Sequence, residues 1–286
     1  MSYRIDSILT VTEPTGRTAP VVFDSPHSGT VWPGDFDTIV PLEVLRKSED
    51  MFVDELFADV PDQGAVLIAA LFPRAYIDPN RGLADLDQRL LESPWPEPLK
   101  PGDKSRMGHG LVWRICPPDY PMYDRRLSTI EVQQRIDSYW QPYHDALSDV
   151  MNDLHQDFGA VWHVNCHSMP AATLKQAGLV NGRQRADFVL GDRDGSTCDR
   201  DFTALVADTL TEMGYRVNVN DPYKGVELIR AFSNPRRNRH SIQIEVNRSL
   251  YMDEVTFQRN GSFESLRVDM ARLADIICAY ASEQTT

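Results

Sequence analysis

Short apolar runs of strand length alternate along this 286-residue chain with longer stretches whose apolar residues recur every three or four positions. No other feature constrains the fold as strongly. A strand that is apolar on both faces must be covered on both faces, and parallel strands need long crossovers, usually helices. The strand candidates are the short apolar run within residues 18–26, ending in Ser25-Pro26, with Ala65–Leu71, Ala160–Cys166, Phe188–Gly191 and Ser241–Val246, and Tyr215–Val219, which alternates. Helical spacing covers 41–60 in two pieces, Thr129–Phe158, Phe202–Met213 with a stop at Gly214, and Leu266–Ala281. The expectation is an α/β layer fold on a largely parallel or mixed sheet, with its chemistry at the carboxyl ends of strands.

Residues 92–122 break the pattern. They hold Pro94, Pro96, Pro98, Pro101, Pro117, Pro118 and Pro121, and they predict a long excursion over the surface, such as a lid, inside one domain spanning 1–286.

Composition removes several function classes. Asp plus Glu is 42 against 29 Lys plus Arg, a formal net charge of −13. Such a surface repels nucleic-acid phosphates and anionic membranes. No apolar run approaches the roughly 20 residues of a membrane span. The start of the chain shows no basic region leading into an apolar one, so a cytoplasmic location is expected. Cys116, Cys166, Cys198 and Cys278 lie far apart, with no Cys-x-x-Cys pair, which argues against a disulfide framework or a cysteine zinc site.

Polar residues sit where the strand candidates end. Asp24-Ser25-Pro26-His27-Ser28-Gly29 follows the first run. In His163-Val164-Asn165-Cys166-His167-Ser168, extended geometry puts His163, Asn165 and His167 on one face, with His167 just past the strand's end. Gln243-Ile244-Glu245 places a carboxylate inside an apolar strand, where it needs a cation, a metal or a proton. Glu49, Asp50, Asp54 and Glu55 offer further carboxylates, with Asp50 and Asp54 one helical turn apart. Two strand-end histidines and one carboxylate make a common catalytic zinc set, with a fourth position open to water. A second carboxylate could take that water's proton. A thiol hydrolase using Cys166 and His167 is disfavoured, because neighbours on a strand point to opposite faces.

Cations gather near the same strand ends. Arg74 and Arg81 follow the Ala65–Leu71 run; Lys224 and Arg230 follow the 215–219 run. In an acidic protein this points to a small anionic substrate, since Arg binds carboxylates in bidentate fashion. The competing expectation pairs Arg74 and Arg81 with Asp78, Asp85 or Asp87.

Taken together, six segments resemble the N-formylglutamate amidohydrolase family. They are Ser25-Pro26-His27-Ser28-Gly29, Asp50-x-x-Val53-Asp54-x-Leu56, Arg74-x-Tyr76-Ile77-Asp78-x-Asn80-Arg81, Cys166-His167-Ser168-Met169, Pro222-Tyr223-Lys224-Gly225 and Gln243-Ile244-Glu245-x5-Tyr251-Met252. Val226 stands where the family's pattern carries a second glycine.

The resemblance implies a three-layer α/β/α fold similar to the zinc carboxypeptidases. It implies hydrolysis of N-formyl-L-glutamate to formate and L-glutamate, a late step of histidine degradation. It further implies one zinc ion per chain held by His27, His167 and Asp50, with Glu49 and Asp54 as rival carboxylates. Glu245 is the expected general base and Arg74 a second donor to the oxyanion. Asn80, Arg81, Lys224 and Arg230 are the expected contacts to the substrate's carboxylates. Two alternatives stay open: a zinc deacylase or carboxypeptidase acting on another N-acyl amino acid or small peptide, and a metal-containing binding protein for acidic amino acids.

Overall fold

The computed structural model describes residues 2–171 and 186–285. Its framework is an eight-stranded sheet. In chain order the strands are β1 (Tyr3–Ile5), β2 (Leu9–Thr12), β3 (Val21–Ser25), β4 (Val66–Ala70), β5 (Val161–Met169), β6 (Phe188–Gly191), β7 (Val217–Val219) and β8 (Arg239–Asn247). Across the sheet they run β1-β2-β4-β3-β5-β8-β6-β7. The pairs β4/β3, β3/β5, β5/β8 and β6/β7 are parallel. The pairs β1/β2, β2/β4 and β8/β6 are antiparallel. The sheet is thus mixed and mostly parallel.

Helices cover both faces. On one face α2 (Gln141–Phe158) packs Tyr143, Leu147, Met151 and Leu154 against Val22, Ile68 and Val161. On the other, α3 (Arg200–Glu212) and α4 (Phe263–Glu283) bring Phe202, Val206, Leu266, Met270 and Leu273 onto Phe23, Val164, Cys166, Ile242 and Ile244. Each such Phe or Leu side chain, fully buried, contributes about 1.5–3 kcal/mol. The alternation of β3, β5 and β8 separates these apolar residues from a polar set facing α2: Asp24, His163, Asn165, His167, Ser241, Gln243 and Glu245 are all buried.

The 129–158 helix starts where its chemistry says it should. Ser128 Oγ accepts from the Glu131 amide at 3.1 Å, and Glu131 Oε2 accepts from the Ser128 amide at 2.8 Å. This capping box opens α1 (Thr129–Arg135). A π-helical turn at Ile136–Trp140 joins α1 to α2, which is the physical origin of the slips in the apolar spacing. It aims Trp140 Nε1 at the carbonyl of Arg81, 2.9 Å away.

Other boundaries moved. Helix within 41–60 is confined to Leu42–Leu45 and Val53–Leu56, with 3-10 turns beside them. β5 runs on to Met169, so His167 lies inside the strand rather than past its end. Parallel pairing with β8, which continues to Met169 against Asn247, holds it there.

The excursion divides in two. Residues 92–104 are largely exposed, as expected of a surface segment. Residues 108–116 turn inward, and Leu111, Val112, Trp113 and Cys116 join the core beside Phe72 and Tyr76. The Asp78 amide donates to the carbonyl of Leu111 at 2.8 Å, and the Leu111 amide to that of Asp85 at 2.7 Å. This segment is a wall of the molecule as well as a loop over it.

Candidate active site

The loop after β3 carries His27 and lies flat on the loop after β4. The contact requires Gly29, since a Cβ there would sit 2.3 Å from the carbonyl oxygen of Phe72. The His27 carbonyl accepts from the Asp50 amide at 3.0 Å, which draws in the turn between the two short helices. His167 comes from β5. Among the described residues, His27, Asp50 and His167 form the one group of buried His, Cys, Asp or Glu side chains with converging ligand atoms, all within 4.8 Å of one another.

The hydrogen bonds fix what this trio presents. Asp50 Oδ2 lies 3.3 Å from His27 Nδ1 and 3.0 Å from His167 Nδ1. His27 Nε2 donates to Asp78 Oδ1 at 2.7 Å. His167 Nε2 donates to Asn165 Oδ1 at 2.7 Å. The Asn165 amide cannot flip, because its Nδ2 donates to Asp24 Oδ1 at 2.7 Å. Asp24 is itself held by Tyr143 Oη at 2.7 Å and His163 Nε2 at 2.9 Å. Each neutral ring therefore carries its proton on Nε2 and turns an Nδ1 lone pair toward the same carboxylate oxygen. Three acceptors in that arrangement are held together only by a cation: an added proton or a metal ion. Burial lowers the pKa of His167 and so resists the proton. Burial also opposes ionisation of Asp50, yet its bonds to His167 and His27 hold it well below the ordinary carboxylate range. The donor set fits a divalent metal whose histidine ligands are oriented by carboxylate and amide partners.

Asp50 is therefore the carboxylate that meets both histidines. Glu49 is also fully buried, but Arg46 Nε reaches its Oε2 at 3.5 Å and its Oε1 has no partner. Burial raises Glu49 to about 7 and Asp54 to about 6. Arg248 supports Asp50 from behind: its Nη2 donates to Asp50 Oδ1 at 3.0 Å and to the Glu49 carbonyl at 2.6 Å.

Glu245 faces the same space from β8. Gln243 Nε2 donates to its Oε1 at 2.8 Å, fixing that oxygen. Burial and then the nearby Asp50 charge push its carboxyl pKa up. Arg74 lies beside His27 through a shared partner, donating to Asp78 Oδ2 from Nη2 at 2.8 Å and from Nε at 3.2 Å. Burial opposes the Asp78 charge, but Arg74 and His27 hold Asp78 well below its ordinary range.

These groups line one cavity of about 510 Å³. His27, Asp50, His167, Glu245, Arg74, Asn80, Arg81 and Lys224 all border it; Arg230 does not. Arg230 pairs instead with Glu227, at 2.7 Å. Lys224 pairs with Asp194 at 2.9 Å at the exposed rim. Its neighbour Gly225 has φ +88°, and a Cβ there would meet Ile229 Cδ1 at 2.0 Å, so this turn needs glycine. Asn80 is engaged with the protein: Nδ2 lies 3.1 Å from His167 Nε2, and Oδ1 accepts from the Leu228 amide at 2.9 Å. Arg81 lies 3.8 Å from Asp85 and donates to the carbonyls of Asn80 and His109. Cys166 points to the opposite face, buried in the core, with burial raising its thiol pKa well above the ordinary value.

Sequence reading missed four cavity-lining side chains: Lys47, Lys104, His109 and Trp113. The last three belong to the excursion, whose irregular sequence gives no periodicity from which to place them. Asp78 stood inside a quoted motif, and Arg248 in the unspecified stretch of another. Only the folded loops show that one orients His27 and the other Asp50.

Comparison with known proteins agrees with this geometry. Residues 19–252 match the family model described as N-formylglutamate amidohydrolase. An N-formylglutamate deformylase of Pseudomonas putida is 25% identical over 271 residues, covering 93% of this chain and 94% of that protein. The crystal structure of N-formylglutamate amidohydrolase from Ralstonia eutropha JMP134 superposes with a TM-score of 0.94 at 48% identity, covering 97% of this chain and 99% of the other. A gene product from Agrobacterium tumefaciens shares the fold at a TM-score of 0.66 and 18% identity, over 97% of this chain and 96% of its own. The chain is an amide-bond hydrolase and belongs to the N-formylglutamate amidohydrolase family.

Proposed function

We propose that this protein hydrolyses N-formyl-L-glutamate to formate and L-glutamate with a zinc ion held by His27, Asp50 and His167. The observation that carries the reading is the meeting of that trio, a buried carboxylate and several cations in one cavity of an otherwise acidic protein. When bound, zinc supplies a water acidified toward pKa about 7 and a polarised carbonyl.

The chain's own residues do the rest. Glu245, with one oxygen fixed by Gln243, takes the proton of the attacking water on its other oxygen and returns it to the leaving nitrogen. Arg74 keeps its Nη1 for the developing oxyanion while Asp78 occupies Nε and Nη2. Arg81 and Lys224 hold carboxylate groups of the substrate, and such clamping contributes to rate by orientation. Asn80 acts by steadying Asn165, whose Oδ1 its Nδ2 reaches at 3.5 Å. Arg230 has no place in the clamp and acts on the Arg81 loop through Glu227, which packs on Gly82. A cytoplasmic place in histidine degradation belongs to the same proposal.

The test pairs metal analysis of the purified protein with formate release from N-formyl-L-glutamate, with and without chelator. About one zinc per chain and chelator-sensitive release are expected. Zinc without formate release overturns the substrate, and a panel of N-acetyl amino acids and dipeptides then identifies the scissile bond. Formate release that survives complete metal removal overturns the metal.

A further inference from the structure

The cavity's cations are not equally neutralised. Arg74 pairs with Asp78, Arg248 with Asp50, and Lys224 with Asp194. Three others are paired less fully: Lys47, and the two that meet beside His109, Lys104 and Arg81. Lys104, on the short helix Asp103–Arg106, has no carboxylate within 4 Å among the described residues. Arg81 is buried, meets Asp85 only at 3.8 Å, and spends its hydrogen bonds on the backbone carbonyls of Asn80 and His109. Carbonyl oxygens satisfy N–H groups but do not cancel a charge.

His109 completes this corner. Its ring rests on Trp113 with centroids 4.8 Å apart, and its Nε2 is buried without a hydrogen-bond partner. Burial, and then the charges of Lys104, Arg74 and Arg81, lower its pKa to about 4. The imidazole is therefore neutral near pH 7 and does not add a further cation. Partial burial, and then the charges of Arg81 and Arg74, lower the pKa of Lys104, although its side chain reaches solvent. Two under-neutralised cations and an open imidazole nitrogen, all bordering the catalytic cavity, form a site whose missing member is an anion.

We infer that Lys104 and Arg81, with His109, form a subsite for a second carboxylate, selecting N-acyl amino acids whose side chain is acidic. The inference rests on the amidohydrolase reading above and names its specificity determinant. The α-carboxylate of such a substrate lies one carbon from the scissile nitrogen and stays near the buried trio. A side-chain carboxylate reaches farther, toward the mouth of the cavity, where Lys104 is exposed. One N⁺–H···O⁻ contact from a lysine is compact and charge-seeking, and loss of such a bond costs roughly 10- to 100-fold in affinity or turnover.

Lys104→Met tests this without disturbing the fold, because the side chain is exposed. Steady-state kinetics compare N-formyl-L-glutamate with its neutral isostere N-formyl-L-glutamine. In the variant, kcat/KM for the glutamate substrate should fall roughly 10- to 100-fold, at least tenfold more than for the glutamine substrate. Lys104→Arg should recover most of the loss. Equal losses for both substrates, or none, overturn the subsite while leaving the reaction intact. Calorimetric titration with glutarate, a dicarboxylate that cannot be hydrolysed, gives a readout without turnover. Weaker glutarate binding in Lys104→Met upholds the subsite even if the wild type fails to cleave N-formyl-L-glutamate. Unchanged glutarate binding overturns it.

Discussion

Glu245 and His167 are direct partners in the parallel pairing of β8 with β5. Adjacent strands lie about 4.8 Å apart, and paired residues project from the same face. A carboxylate and an imidazole are thereby held side by side by the backbone itself. Gln243 pairs with Asn165 two residues earlier, so the groups that steady the carboxylate and the imidazole are neighbours too. Glu245→Gln keeps the shape and removes the proton acceptor. Turnover should fall about 10²- to 10⁴-fold while bound metal stays near the wild-type content. Mass spectrometry of the native protein, run beside the formate assay, checks both; a variant with full activity removes Glu245 from the base role.

Asp50 and Glu49 are adjacent and both buried, but only Asp50 touches the two histidines. Asp50→Asn should lose most of its metal. Glu49→Gln should keep it and gain stability, since a buried, unpartnered carboxylate oxygen is replaced by a neutral amide. Metal retention measured in the two variants separates the roles, and the reverse pattern reassigns the ligand.

Asp24 never reaches the cavity, yet it sets which atom Asn165 shows to His167. Asp24→Asn can present an N–H where an acceptor is needed, loosening the tautomer of His167. Partners of this kind are worth about 10- to 100-fold in metal affinity. Competition with a chelator should show a shift of that size.

Asp54 gives a pH-dependent prediction away from the trio. Burial raises its folded pKa to about 6 from an ordinary 3.8. Between these values the unfolded chain is ionised and the folded chain is protonated. Its contribution to stability is therefore full below pH 3.8 and is lost as pH rises through 6. Asp54→Asn removes the titration. The variant should match the wild type near pH 4 and exceed it by about 1–2 kcal/mol at pH 7.5. Thermal melts at the two pH values check the sign; an equal difference at both refutes the cause.

The central strands were legible because burial on both faces leaves a plain apolar run, as at Val21–Phe23 and Val66–Ala70, or one broken only by residues of the site, as at Ile242–Val246. His27, His167 and Glu245 were legible because each interrupts or ends such a run. The hairpin of β1 and β2 was not, since Tyr3–Ile5 is exposed and carries no burial pattern. The reach of β5 to Met169 was hidden too, because its polar residues are stabilised by partners distant in sequence: Asp24, Ser241 and Arg248. The same cause hid Lys104 and His109, whose positions depend on where an irregular segment is stitched to residues 78–85 rather than on any local period.

Arg248 ties together two separate stretches of chain: it donates to Ser168 Oγ near the end of β5, and to the Lys47 and Glu49 carbonyls and Asp50 Oδ1. It stands in the turn immediately after β8. The segment bearing Asp50 has little regular structure of its own, and by itself would fray on the timescale of loop motion. Tied in this way it can detach only when the ends of the central strands part as well. Amides around residues 47–51 should then exchange with solvent in step with the sheet, and the site should release what it holds at the pace of domain opening.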